Sequence, residues 1–199
     1  MGEKQGIVCF SERWKQPLMW GHYAEAHKGI CLGFYVRTSE FRKMDYVAER
    51  PKLDDFKKSY VGQLSEADIK AISMKKFNQW SYEAEWRRVV PLENQDFVDS
   101  NYFLKFDDAM KLNVVLIGER YDITDKQIAG MLAANENIRI GFTKAASSKF
   151  DVVLDMEKTR DRIPSHRRAH PRFTGTAVEK LDYLQKTVTN PHWKSEDED

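Results

Sequence analysis

Apolar positions along this chain change their period several times, and each change predicts an element. Residues 7–11 (IVCFS) are a short apolar run and read as a strand that begins almost at the first residue. A core strand usually has some lead-in, so the chain is expected to be a shortened form of a longer protein. Pro17 opens a helix at the first-turn position that proline tolerates, and the pattern PLMWGHYAEAHK carries it to Gly29 as the closing residue. Strands follow at 29–36 (GICLGFYV) and around 44–48. Ser65, with Asp68 three residues on, starts a second helix in the manner of a capping box. Its apolar positions Ile69, Ile72, Phe77 and Trp80 fall roughly on one face.

Further strands are predicted at 86–92 (WRRVVPL), briefly at 102–106, and strongly at 112–118 (LNVVLIG), which ends at glycine. Thr124 with Gln127 begins a helix to about Ala134, and the final strands are expected at 138–142 and 150–156. The helices are too few to cover both faces of a parallel sheet. The predicted class is therefore α+β, a single domain over 1–157 with a central mixed or antiparallel sheet and a few flanking helices. From Lys158 the character changes. Residues 158–199 read as a basic segment, a short helix at 177–188 and an acidic tail, SEDED, expected to be disordered.

Composition adds limits. The chain has 199 residues, 41% hydrophobic and 12% aromatic, enough for a core, and 32% charged, which requires a strongly solvated surface. A net charge of +1 implies no general attraction to nucleic acid or anionic membrane, although local patches still count. No apolar run approaches the roughly 18 residues of a membrane span, so no membrane partner is expected. The start, MGEKQGIVCF, lacks the basic region and apolar run of a signal peptide, so the cytoplasm is the expected compartment. Cys9 and Cys31 lie in apolar strand-like runs and read as buried reduced thiols, with a disulfide or a reactive thiol as the alternatives.

Three segments are candidates for chemistry. No glycine-rich nucleotide fingerprint, Walker loop, nucleophile elbow or C-x-x-C is present, and His22 and His27 are five apart, so no metal is expected. In MWGHYAEAH, Trp20, Tyr23 and His27 share a helix face, with His22 and Glu25 beside it. Core packing is one reading. A pocket wall that stacks a ring and hydrogen-bonds its edge is the other. In WSYEAEWR, Glu83 and Glu85 point to one side if the backbone is extended, and Arg87 is a natural partner that keeps a neighbouring carboxylate ionised. Such a pair divides labour in catalysis or forms a surface ion-pair ladder. The third is the basic segment 158–172, with Arg160, Arg162, Arg167, Arg168 and Arg172, either a solvated tail or a nucleic-acid contact.

VCFSERWKQPLMWGHYAEAHKGICLGF, then a helix running into WSYEAEWR, then VVLIG, resembles the bacterial domain-of-unknown-function family 2971 (DUF2971). The resemblance spans about 7–156. It is carried by Cys9, Phe10, Ser11, Met19, Trp20, His22, Tyr23, His27, Gly29, Tyr82, Glu83, Glu85, Trp86 and Arg87. The layout is also similar to that of ADP-ribosyltransferases, which place a Ser or Thr beside an aromatic on one strand and a catalytic Glu, sometimes Glu-x-Glu, at the opening of a later strand. Phe10–Ser11 and Glu83–Ala84–Glu85 fill those places. The first element of that layout, an Arg or His on an earlier strand, has no counterpart before Ile7.

That likeness implies an NAD-using transferase, with NAD as substrate, in bacterial stress or phage defence. Its candidate catalytic residues are Glu85, Glu83 and His22, and its candidate substrate-binding residues are Ser11, Trp20, Tyr23, His27, Tyr82 and Arg87. The alternative is a module without chemistry. It would bind a nucleotide or nucleic acid through the helix at 17–28 and the basic segment.

Overall fold

The computed structural model describes residues 4–170; the predicted helix at 177–188, Arg172 and the acidic tail lie outside them. In chain order the strands are β1 (Gln5–Ser11), β2 (Ile30–Val36), β3 (Arg42–Lys43), β4 (Asp45–Val47), β5 (Lys75–Phe77) and β6 (Glu85–Pro91). They continue as β7 (Asp96–Val98), β8 (Asn101–Phe103), β9 (Met110–Ile117), β10 (Arg139–Ala145) and β11 (Val152–Asp155). The helices are α1 (Pro17–Tyr23), α2 (Glu66–Ser73), α3 (Asp125–Ala134) and α4 (Met156–Arg162). The class is α+β. The strands do not form one central sheet: among the described residues they fall into a three-stranded sheet, a four-stranded sheet and two pairs. Two compact units divide the chain, 4–16 with 39–105, and 17–38 with 106–170.

The first unit is built on β1-β6-β3, all antiparallel, with Cys9 opposite Arg87 and Ser11 opposite Glu85. β4 and β5 pair in parallel, and Tyr46 stands opposite Lys76. α2 begins as the sequence predicts. Ser65 Oγ accepts from the Asp68 amide while the Asp68 side chain accepts from the Ser65 amide, so two otherwise orphaned donors are satisfied reciprocally. The predicted apolar face does not form. The helix ends at Ser73, Phe77 belongs to β5, Trp80 to a 3-10 turn, and Ile69 is 55% exposed. Interior apolar groups here are few: Phe41, Met44, Met74, Ala84 and Val90.

The second unit centres on the sheet β11-β10-β9-β2, in which β9 and β10 run parallel and the outer pairs are antiparallel. α3 makes the crossover between the parallel strands, as such a connection requires. Its capping box is the predicted one, Thr124 with Gln127. Val115, Ile117, Ile123, Ile128, Ile138, Ile140, Phe142 and Ile163 form one apolar cluster.

The chain from Lys158 to Ala169 is folded rather than appended. Thr159 is fully buried; its Oγ1 donates to the Asp155 carbonyl at 2.6 Å and accepts from the Phe142 amide at 3.0 Å, fixing α4 to β10. Ala169 donates to the Ile140 carbonyl at 2.9 Å. Arg162 reaches Asp125 and the Ile123 carbonyl at the start of α3. Arg167 donates to the carbonyls of Leu132, Asn135 and Ile138 at its end, where helix carbonyls lack partners.

Candidate functional site

Unit 1 holds a buried charge cluster where β6 begins. Residues Asn78–Glu83 make a 3-10 turn, Ala84 adopts a left-handed conformation (φ 45°), and Glu85 starts the strand. The backbone is therefore not extended between the two acids. The left-handed Ala84 is what turns both side chains the same way. Glu83 and Glu85 are 3% and 5% exposed, and both carboxylates meet the ammonium of Lys76, which is 2.9 Å from Glu85 Oε2 and in a tight ion pair with Glu83.

Arg87 completes the group. Its Nε donates to Glu85 Oε1 at 2.6 Å, and its Nη1 donates to the Ser73 carbonyl at the end of α2 at 2.7 Å. The Glu85 amide donates to the Tyr46 hydroxyl at 2.8 Å. Two buried carboxylates thus meet two half-buried cations, whose charges compensate the cost of taking the carboxylates from water.

Burial alone would push the Glu85 carboxyl up. Hydrogen bonds from Arg87, Lys76 and the Cys9 thiol overcome that and hold it at about 2. Lys76 is pulled down by burial and, more strongly, raised by its bonds to Glu83 and Glu85. Burial also raises Tyr46, helped by the two carboxylate charges, and raises Tyr82, next to Glu83. Cys9 is exposed as a residue, like the other odd positions of β1 and contrary to the buried thiol predicted, although its sulfur reaches the Glu85 carboxylate. Desolvation of its sulfur and the Glu85 charge nevertheless push the thiol up to about 11. Cys31, half-buried on β2, is pushed up to about 11 by burial.

Ser11 lies beside this cluster as the β1–β6 register requires. Its Oγ donates to the Glu83 carbonyl at 2.6 Å and accepts from the Arg13 amide at 3.0 Å. Trp86 Nε1 donates to Glu12 at 2.7 Å, and Lys43 pairs with the same carboxylate at 3.2 Å. The structure therefore brings Ser11, Glu83, Glu85 and Arg87 together in unit 1. Tyr82 stacks obliquely on Trp80 at 5.9 Å. Lys76 and Tyr46 are the members that sequence reasoning missed. Lys76 was hidden in ISMKKF, a run read as helix, and its partners lie seven and nine residues away.

The other candidates belong to unit 2. Trp20 is 2% exposed and stacks on His27 at 5.9 Å and 7°, so core packing describes it. Tyr23 is 61% exposed, and His22 is exposed beside it. The expected single aromatic face fails because α1 stops at Tyr23. Glu25, Ala26 and His27 all have positive φ (47°, 51°, 70°), a left-handed turn that costs roughly 1–2 kcal/mol per L-residue. Backbone bonds hold it: the Gly118 amide donates to Gly29 O at 3.0 Å, and the Arg120 amide to His27 O at 3.1 Å. A side chain at Gly118 would meet His27 O at 2.2 Å, so glycine is obligatory there. His27 Nδ1 is buried without a hydrogen-bond partner.

Of the basic segment, Arg162, Arg167 and Arg168 are occupied with carbonyls of their own unit. Arg160 is exposed. Among the described residues no helix is long and apolar enough to cross a membrane, and no group of three or more His, Cys, Asp or Glu is placed to hold a metal.

Fold and site together define an α+β protein whose organised polar feature is a neutralised carboxylate–cation cluster at the start of a strand. Residues 19–88 match the model of a family described as Protein of unknown function (DUF2971). The match covers about a third of the chain and bears out the resemblance to that family over those residues. It includes Trp20, His22, Tyr23, His27, Tyr82, Glu83, Glu85 and Arg87, and leaves Ser11 outside. Neither the curated proteins nor the solved structures gave a match.

Proposed function

We propose that unit 1 carries a nucleotide-directed site, and that its chemistry is ADP-ribosyltransferase-like with NAD as substrate. The observation that carries this reading is the register that sets Ser11 directly across from Glu85, with Ser11 Oγ bonded to the backbone of Glu83. A serine-bearing strand beside a Glu-x-Glu strand opening is the arrangement that the resemblance implies. Glu85 is ionised throughout the physiological range, as a group must be that accepts a hydrogen bond from a ribose hydroxyl and balances the positive charge growing on the sugar as nicotinamide departs. Glu83 is assigned to placing the acceptor.

Glu83 is engaged by Lys76, and Glu85 by both Lys76 and Arg87, so turnover requires these cations to release the acting carboxylate. The test is nicotinamide release from NAD by the wild-type chain and by Glu85→Gln. Release that falls by about a hundredfold or more in the variant supports the assignment. Equal release in both proteins, or none from either, overturns it.

The alternative, binding of a nucleic acid through Arg160, Arg162, Arg167, Arg168 and Arg172, rests on the charge of that segment. The internal hydrogen bonds of Arg162, Arg167 and Arg168 weigh against it. Oligonucleotide affinity that falls steeply with salt, and falls further in Arg160→Ala, would favour it over the transferase reading.

A further inference from the structure

Lys76 has a second neighbourhood. Beyond its two carboxylates, its side chain lines an open groove of about 820 Å³ within unit 1, along with Arg50, Ile72, Lys75, Phe77 and Trp80. The volume falls within the range of about 300–1,000 Å³ typical of small-molecule sites. The groove exists because β4 and β5 run parallel, so the chain leaving β4 at Val47 and the turn leaving β5 at Phe77 depart on the same side.

Its chemistry is specific in two respects. Lys76 is already neutralised by Glu83 and Glu85, whereas Arg50 and Lys75 have no acidic partner among the described residues. Glu49, which also lines the groove, pairs with Lys52 at 3.3 Å. Arg50 and Lys75 are therefore the lining charges without an ion pair among the described residues. Against them stand two large rings, Phe77 at 51% and Trp80 at 37% exposure, with the Lys76 ammonium 5.3 Å from the Trp80 ring centroid. Ile72 and Val47 give the remaining wall an apolar character.

A wholly anionic ligand would leave the rings and the aliphatic wall without a use, and an uncharged ring would leave the cations unpaired. The ligand class that satisfies both is a planar ring joined to a phosphate. We propose that this groove binds a free nucleoside phosphate, its base against Phe77 and Trp80 and its phosphate against Arg50 and Lys75. The proposal does not depend on the transferase reading, since neither Ser11 nor Glu85 touches the ligand in it.

The test is calorimetric titration of the full chain with AMP, adenosine, inorganic phosphate and a short single-stranded oligonucleotide. AMP is expected to bind at least about tenfold more tightly than adenosine or phosphate alone, because only AMP meets both walls. The double variant Arg50→Ala, Lys75→Ala is expected to lose about tenfold or more for AMP and little for adenosine. Phe77→Ala is expected to weaken AMP and adenosine together and to leave phosphate unchanged. Among the described residues neither the Arg50 nor the Lys75 side chain makes an ion pair to another element, and circular dichroism of the variants checks the fold. AMP binding that is absent, unchanged in the double variant or no tighter than phosphate overturns the proposal; so does an oligonucleotide that binds more tightly than AMP. AMP has no nicotinamide to release, so a failure of the transferase test leaves this outcome unaffected.

Discussion

The two units solve the problem of an interior in opposite ways. Unit 2 fills its centre with branched aliphatics and Phe142, and its two buried threonines, Thr143 and Thr159, are hydrogen-bonded to its backbone. Unit 1 has a thin apolar interior with two methionines, and it places Glu83 and Glu85 inside with Lys76. Apolar burial is non-directional and forgiving, whereas a buried charge cluster tolerates only one arrangement of its members. The comparison teaches where function is to be sought. A protein that only needed stability would gain nothing from burying two carboxylates, since well-packed apolar residues usually do as well or better.

The largest expected effects come from breaking each interior by its own logic. Lys76→Met leaves two carboxylates together without their shared cation and should cost about 3–5 kcal/mol at neutral pH. Phe142→Ala in unit 2 should cost a similar amount, about 3–5 kcal/mol, through a cavity. Denaturant titrations at several pH values separate the two. The Lys76→Met deficit should shrink as the pH falls and the carboxylates protonate, while the Phe142→Ala deficit stays constant. A Lys76→Met deficit that does not change with pH would show that the cluster is not electrostatic in origin.

The wild type should show the same dependence with the opposite sense. Glu85 has a folded value of about 2 against an ordinary 4.5, so the native state binds fewer protons than the unfolded one across that interval. Its contribution is complete above 4.5 and disappears as the pH falls towards 2. Glu85→Gln should flatten the acid limb of the stability curve.

Arg167→Ala comes next, at about 1–3 kcal/mol, because three carbonyls around the end of α3 lose their donor. Hydrogen exchange should locate the loss in the last turn of α3.

The smallest effect is a shift in reactivity. In a Cys31→Ser background, the Cys9 thiol should react slowly with iodoacetamide near neutral pH, and several times faster once Glu85→Gln removes the charge that raises it. An unchanged rate would mean that sulfur and carboxylate do not communicate.

Local signals were legible in the sequence wherever their partners were close by. Both capping boxes, Ser65 with Asp68 and Thr124 with Gln127, form as predicted, because each is completed within four residues. The aliphatic run at β9 announced a buried strand. What failed was whatever depended on distant partners or unusual backbone. The two acids converge through a left-handed Ala84, not through an extended strand, and no propensity marks alanine for that conformation. Lys76 reads as a surface residue, and only the fold around it brings its ammonium onto two buried carboxylates. The basic segment resembled a tail because arginines were counted as charges. In the structure Arg162 and Arg167 are donors to the two ends of α3, a use that charge counting does not see.

The left-handed turn at 25–27 has one more consequence. Besides local bonds such as that of the Gly29 amide to the Ala24 carbonyl, it is held by amides about ninety residues further along, at Gly118 and Arg120. The stretch that carries the family likeness, 19–88, therefore contains the turn without these distant amides, and the first half of β6 without its neighbour β1. It is a unit of sequence likeness but not a unit of folding. A peptide cut at those limits is expected to be unstructured by circular dichroism.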